Sequence, residues 1–360
     1  MLGQPERQVG AIKIRMPYTA GALATHLAGQ LGHKYLAFSN SRVVPFLESI
    51  PFFADIFPRP LLHSSVKILT HEEANVLISA LIASGKPSMI GRFGESELRA
   101  VLEFELIDSW SRTRKILWKV VLLKSAKWTP TRFLFLASHA GFFPTGSRSA
   151  MRKFCEVMRD SSKSVDLLGS WVRGENLISE LQANVEVTEL DSLKPFSAPM
   201  PWTRALQGKR VLVIHPFTDS IRSQYRKRKL LFPSAEFLPQ FDLRLIKCPQ
   251  TVNDGVDLAS MEFNDWFGVL ESIKVQIRAE KFDVAIIGAG AYGFALASFV
   301  KSLGFVAIHF GGATQLLFGI WGNRWNTSEE MLALRNSHWV RPLSSETPEL
   351  APRIEGAAYW

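Results

Sequence analysis

Short apolar runs, each long enough for one buried strand, alternate with amphipathic stretches through most of this chain. Residues 88–93, 165–170, 185–190, 210–215, 243–248, 284–288 and 305–310 have this character, and 133–138 is a further run of the same kind. Helical patterns fall between them at 147–160, 263–280 and 292–303. Strands alternating with helices predict an α/β fold, Rossmann-like, with a mainly parallel sheet flanked by helices. Another helix is predicted to begin at Thr70, where Thr70 and Glu73 form a T-x-x-E capping box ahead of Val76, Leu77, Ala80 and Leu81. Gly85 supplies its stop. In such sheets ligands sit beyond the carboxyl ends of the strands, so the turns that close the apolar runs are the places to look for chemistry.

A length of 360 residues suggests two domains at about 150 residues each. Lys194-Pro-Phe-Ser-Ala-Pro-Met-Pro-Trp202 carries three prolines and is the natural joint. The expected division is an irregular N-terminal extension at 1–64, a first α/β half at 65–200, a second at 201–326 and a tail at 327–360. Prolines 45, 51, 58 and 60 argue against one long helix in the extension, and its apolar content argues against plain disorder. Hydrophobic residues make up 47% of the chain, enough for a large core and too many for a disordered protein.

No apolar run reaches the roughly 18 residues needed to span a bilayer, and the first residues lack a basic region followed by an apolar one. Two cysteines, Cys155 and Cys248, make neither a disulfide framework nor a CxxC knuckle. These features point to a cytoplasmic protein. The net charge of +9 favours an anionic partner. Arg222, Arg226, Lys227, Arg228 and Lys229 crowd around Tyr225, which is either a solvated face or a contact with an anionic acceptor or the inner face of a membrane. No nucleic-acid module accompanies the run, so no nucleic-acid partner is expected.

Ser88-Met-Ile-Gly-Arg-Phe-Gly-Glu-Ser-Glu-Leu98 is an apolar run, a glycine turn and two carboxylates where a helix running to about Leu106 begins. Glu95 and Glu97 there either complement the helix dipole or hold a hard cation, Mg²⁺ or Mn²⁺, against a diphosphate. Two residues apart, both can ligate one ion only if Glu95 lies in the turn itself, because within a helix they diverge. Gly288-x-Gly290-x-x-Gly293 follows the 284–288 run and resembles a dinucleotide fingerprint. NAD binding also needs an acid about 20 residues on, and residues 284–328 contain no Asp or Glu. NAD(P) is therefore not expected, and the turn is either a phosphate or sugar contact or a structural tight turn. His215 and Asp219 close the 210–215 run and are acid or base candidates, Asp219 more so because the basic run follows it. The loop from His139 through Gly146 is another strand-end segment able to line a cleft. No G-x-S-x-G elbow, Walker loop or HExxH occurs.

Several segments together carry a resemblance. They are 90–98, Gly141-Phe-Phe-Pro144, Leu168-Gly-Ser-Trp171, Pro201-Trp202, Gly208-Lys-Arg-Val-Leu-Val-Ile-His-Pro-Phe217, Leu238-Pro-Gln-Phe241, Gly288-Ala-Gly-Ala-Tyr-Gly293 and Gly311-Gly-Ala-Thr-Gln-Leu-Leu-Phe-Gly319. Over roughly 66–326 the chain resembles bacterial glycosyltransferases of the GT-D fold type from surface-polysaccharide loci. The resemblance implies a GT-D-like sheet and transfer of a sugar from a nucleoside diphosphate sugar to a glycan or lipid-linked acceptor. It also implies Mn²⁺ or Mg²⁺ at a D-x-E motif, whose first acid is Glu95 here and whose second is Glu97. The expected catalytic residues are Glu97 and Asp219. The expected donor-binding set is Arg92, Gly94, His215, Gly288, Gly290, Tyr292 and Gly293. The rival readings are an NAD(P)-dependent sugar oxidoreductase and a non-catalytic protein of polysaccharide assembly that binds nucleotide sugars.

Overall fold

The computed structural model describes residues 66–109, 131–181, 184–251, 263–349, 351–353 and 356–360. The N-terminal extension lies outside them. Eight strands form the sheet: β1 (Ile68–Leu69), β2 (Ser88–Gly91), β3 (Leu167–Ser170), β4 (Glu186–Glu189), β5 (Arg210–His215), β6 (Asp242–Lys247), β7 (Val284–Ile287) and β8 (Val306–His309). The described α-helices are α1 (His71–Ser84), α2 (Glu95–Ser109), α3 (Thr131–Ala140), α4 (Arg148–Ser162), α5 (Thr218–Arg226), α6 (Arg228–Leu231), α7 (Trp266–Ala279), α8 (Gly293–Ser302) and α9 (Glu329–Leu334).

All strand pairs are parallel, in the order β1-β4-β3-β2-β8-β7-β5-β6. The α/β, Rossmann-like architecture with a parallel sheet flanked by helices is thus what the chain adopts. Strands β1–β4 lie on one side and β5–β8 on the other. They meet where Ser88, Met89 and Ile90 of β2 pair with Val306, Ala307 and Ile308 of β8. One sheet therefore runs through both halves of the sequence.

Burial on both faces explains why the strands read as unbroken apolar runs. Ile90, Leu167, Val211, Val213, Val284, Ile286, Val306 and Ile308 face one layer, built from Ala74, Ile78 and Ile82 of α1, Ile221 of α5, and Trp202. Alternate residues, including Met89, Leu168, Leu212, Ile214, Ala285 and Ile287, are buried toward the other face. There α8 packs on β2, β7 and β8 and against α4 and α7. Among the described residues no helix is long and apolar enough to cross a membrane.

One predicted strand is a helix. Residues 133–138 fall inside α3, with Phe133, Leu136 and Ala137 buried at helical spacing. A short apolar run cannot be separated from a buried helical turn by hydrophobicity alone. The two-residue strand β1 is too short to show a period.

The start of α1 is as predicted. Glu73 N–H donates to Thr70 Oγ1 at 3.2 Å, Thr70 N–H donates to Glu73 Oε2 at 2.9 Å, and Gly85 closes the helix at φ 64°. Thr70→Ala removes one half of that reciprocal cap. It is expected to cost about 1 kcal/mol, read in urea unfolding as a lower midpoint at unchanged slope.

Candidate functional site

Strands β2, β8, β7 and β5 are neighbours whose following segments leave to alternate faces. After β2, α2 joins the layer of α4, where Arg159 bonds Glu105. After β8, residues Gly311–Phe318 turn into the layer of α1 and α5. After β7 the chain enters α8, and after β5 it enters α5. Exits that diverge at the carboxyl edge mark the place where such sheets bind ligands.

Arg92 lies at the seam, just beyond β2. Its guanidinium packs against Gly311 so closely that a Cβ there would collide with it, and the φ of +61° at Gly311 also favours glycine. Its Cζ stands 5.9 Å over the Trp171 ring. Among the described residues Arg92 makes one side-chain hydrogen bond, Nη1 to the Phe93 carbonyl at 3.3 Å, and no ion pair. The guanidinium has five N–H groups, so most of its donors are unspent. Burial lowers its pKa, Tyr359 and Glu97 raise it, and Arg324 lowers it, so these three groups stand around the same charge. Arg324 lies 4.8 Å over the Tyr359 ring. The Tyr359 ring in turn occupies the space that a Cβ on Gly312 would need.

The backbone here is pinned by a buried histidine. His309 Nδ1 donates to the Arg92 carbonyl at 3.0 Å, which leaves Nε2 unprotonated in the neutral ring. Burial, and then the charge of Arg92, hold His309 well below the ordinary histidine pKa. Trp171 Nε1 donates to the Phe93 carbonyl at 2.8 Å, and Phe93 stacks on Phe294 with centroids 4.6 Å apart.

The two acids of the turn diverge. Glu95 is the first residue of α2 and pairs with Arg99 one turn on, at 2.8 Å. Glu97 is 8% exposed and folds back over Gly94, where any side chain would meet its carboxylate. Among the described residues no group of three His, Cys, Asp or Glu could hold a metal. One carboxylate aimed along the helix and one folded onto the helix start do not form the two-acid cradle that Mn²⁺ or Mg²⁺ would need here.

Packing explains Gly288 and Gly293, and a positive φ explains Gly290. A Cβ on Gly288 would lie 2.6 Å from the Gly311 carbonyl oxygen and 2.7 Å from the His215 ring. On Gly293 it would lie 2.5 Å from His309 Nε2. Gly290 has φ +50° and is exposed. Tyr292 is buried, stacks on Trp266 with centroids 5.2 Å apart, and shares a 2.8 Å hydrogen bond with Thr251 Oγ1. Gly290 is the one residue of this motif that faces solvent, and Tyr292 is a packing residue.

His215 accepts the Phe217 N–H at Nδ1, 3.0 Å away, so the neutral ring carries its proton on Nε2. Burial depresses its pKa to about 3. It is an N–H donor at this edge and a poor proton acceptor. Asp219 is exposed in the first turn of α5. Its N–H donates to Glu346 Oε1 at 2.8 Å, and Ser220 donates to Glu346 through both N–H and hydroxyl. Glu175 does the same after β3, accepting from Ser170 Oγ, Trp171 N and Val172 N. Backbone donors after β3 and β5 are thus filled by the chain's own buried carboxylates, whereas most N–H groups of the Arg92 guanidinium have no partner among the described residues.

The sequence singled out Arg92, Gly94 and His215 at this edge but not Arg324, Tyr359, Glu175 or Glu346. Trp171 and Gly311 stood only inside longer quoted segments. Comparison with protein-family models, with curated proteins and with solved structures returns no match.

Two outcomes follow. Gly288→Ala is expected to cost about 1–3 kcal/mol through overpacking against backbone, more than Gly290→Ala, with both read from urea midpoints. For His215 the unfolded ring, near 6.5, binds the proton better than the folded ring, near 3. Stability is therefore complete above pH 6.5 and falls as pH drops toward 3. His215→Asn keeps an acceptor for Phe217 N–H and removes the titration, so its midpoint should depend less steeply on pH across that window.

Proposed function

We propose that this chain is a nucleotide-sugar-dependent glycosyltransferase that holds its donor diphosphate at the seam of β2 and β8. The observation that carries the reading is Arg92: a half-buried guanidinium at the carboxyl edge with one N–H spent and no carboxylate paired to it. A planar fork of this kind suits bidentate contact with phosphate oxygens. Charge develops on the diphosphate as the bond from the sugar's anomeric carbon to phosphate oxygen breaks. A cation held in place at that edge stabilises that charge without reorganising. A new bond forms between the anomeric carbon and an acceptor hydroxyl, whose proton leaves to a base.

Asp219 is the base in this proposal. It lies three strands from β2, about 14 Å along the edge at about 4.8 Å per strand. That spacing assigns it to the acceptor side, with the donor extended from Arg92 toward it. His215, at the end of β5, offers its Nε2–H between them. The acceptor is a glycan or a lipid-linked saccharide. Because Glu95 and Glu97 diverge, no step is routed through a metal.

Titration calorimetry with a panel of nucleoside diphosphates, in EDTA and again in Mn²⁺, tests this. The expected result is binding of at least one of them in EDTA. Arg92→Gln should weaken it at least tenfold, about 1.4 kcal/mol, at unchanged thermal stability. Arg92→Lys should not restore it fully, since lysine lacks the fork. Binding of none of the panel under either condition would remove the proposal. Binding with no turnover of any sugar donor would leave the non-catalytic binding reading in its place.

A further inference from the structure

A second surface stands apart from Arg92. Arg222, Arg226, Lys227 and Lys229 are exposed along α5 and α6, and Arg335 is exposed on the neighbouring segment. The two segments form one surface. Asn336 Nδ2 donates to the carbonyls of Leu230 and Leu231 at 3.1 and 3.2 Å, Trp339 Nε1 donates to Leu231 O at 2.8 Å, and Gln224 Nε2 donates to His338 O at 2.9 Å. No acid occurs within 220–231 or within 335–343. None of the five cations pairs with Asp or Glu among the described residues. Elsewhere the bases pair readily: Lys194 with Asp191, Arg210 with Asp283, Lys274 with Glu271, Lys301 with Asp166.

Two large apolar side chains stand out of the same surface. Leu230 is 51% exposed in the middle of the basic run, and Leu343 is 46% exposed, with its N–H bonded to Ser220 Oγ at the start of α5. Arg228, which carries the remaining charge of the run, lies over the Tyr225 ring at 5.4 Å.

From this we infer that the face of α5, α6 and residues 335–343 docks on an anionic lipid surface. The cations meet the headgroup charge, and Leu230 and Leu343 enter the boundary between headgroups and acyl chains. Charge complementarity alone would serve any polyanion. The exposed leucines interleaved with the cations favour a bilayer, because a nucleic-acid backbone offers them nothing. Asp219 lies in the first turn of α5 at the carboxyl edge, so docking would bring that edge to the depth of lipid headgroups. Only this last consequence rests on the glycosyltransferase reading.

Vesicle sedimentation of the full chain decides the matter, using phosphatidylcholine alone and with about 30 mol% phosphatidylglycerol as the anionic lipid. Binding should favour the anionic vesicles at least about tenfold. It should fall at least about tenfold from 0.1 M to 1 M salt, as the screening length shortens from about 10 Å to about 3 Å. Arg226→Glu with Lys227→Glu and Lys229→Glu should lose at least about tenfold, and the matching glutamine set an intermediate amount. Leu230→Ser with Leu343→Ser should weaken vesicle binding about threefold and leave binding to a DNA duplex unaltered. All these side chains are exposed, so melting temperatures should match the wild type. Equal binding to neutral vesicles, full binding by the charge-reversed variant, or vesicle binding indifferent to the leucines would each overturn the proposal; the last would make the face a general polyanion surface. Nucleoside diphosphate titration of the same variants keeps the two readings separate, since it should be unaffected whichever way the vesicles behave.

Discussion

The pairing of β2 with β8 is the interaction on which the rest depends. It is the only lateral link between the strand set β1–β4 and the strand set β5–β8 among the described residues. It joins residues more than two hundred positions apart, so nothing local in the sequence announces it. Its register places the end of β2 beside the end of β8. That brings Arg92 against Gly311 and within reach of His309, whose Nδ1 fixes the Arg92 carbonyl. A shift of one residue in this pairing would turn β2 side chains from one face to the other and carry the guanidinium off the edge.

The two edges of the sheet use charge differently. At the amino edge charges are consumed in stitching: Met89 N–H and Lys301 both meet Asp166 at 2.7 Å, and Arg210 N–H meets Asp283 at 2.8 Å. At the carboxyl edge Glu175 and Glu346 consume backbone donors after β3 and β5. Beside them, among the described residues, the Arg92 side chain makes one hydrogen bond and no ion pair. Arg92 is half-buried and has no carboxylate hydrogen-bonded to its guanidinium, so most of its N–H donors are open to an anion from outside. Arg92, more than the glycine motif, is what the proposed placement of a ligand at this edge rests on.

Legibility in the sequence followed interaction range. The capping box at Thr70, the stop at Gly85 and the apolar runs of β2, β3, β5, β7 and β8 are written in neighbouring residues, and they were readable. Run 133–138 was misread because a buried helical turn and a buried strand share one composition. The glycines at 288, 290 and 293 were visible, but their neighbours were not. Whether a glycine receives a phosphate or a carbonyl depends on what the fold brings opposite, here Gly311 O, Ala140 O and His309. Glu346 capping α5 from 127 residues away had no signature at all. Arg92 was legible as a residue worth naming, and its lack of a carboxylate partner was not.

The acidic turn shows how a motif and its chemistry can separate. Two carboxylates spaced by one residue at a strand end promise a shared cation only while both point the same way. Placing Glu95 as the first residue of α2 sends it along the helix to Arg99, and Glu97, two residues on, returns to Gly94. Successive residues of an α-helix are turned by about 100°, so carboxylates two apart diverge by about 200°. Lengthening the first acid from aspartate to glutamate cannot undo that divergence, because the angle is set by the backbone. A positive charge stands at the same edge on Arg92, three residues before the helix. The acids are found instead in an ion pair with Arg99 and in a fold back over Gly94, neither of which asks them to converge.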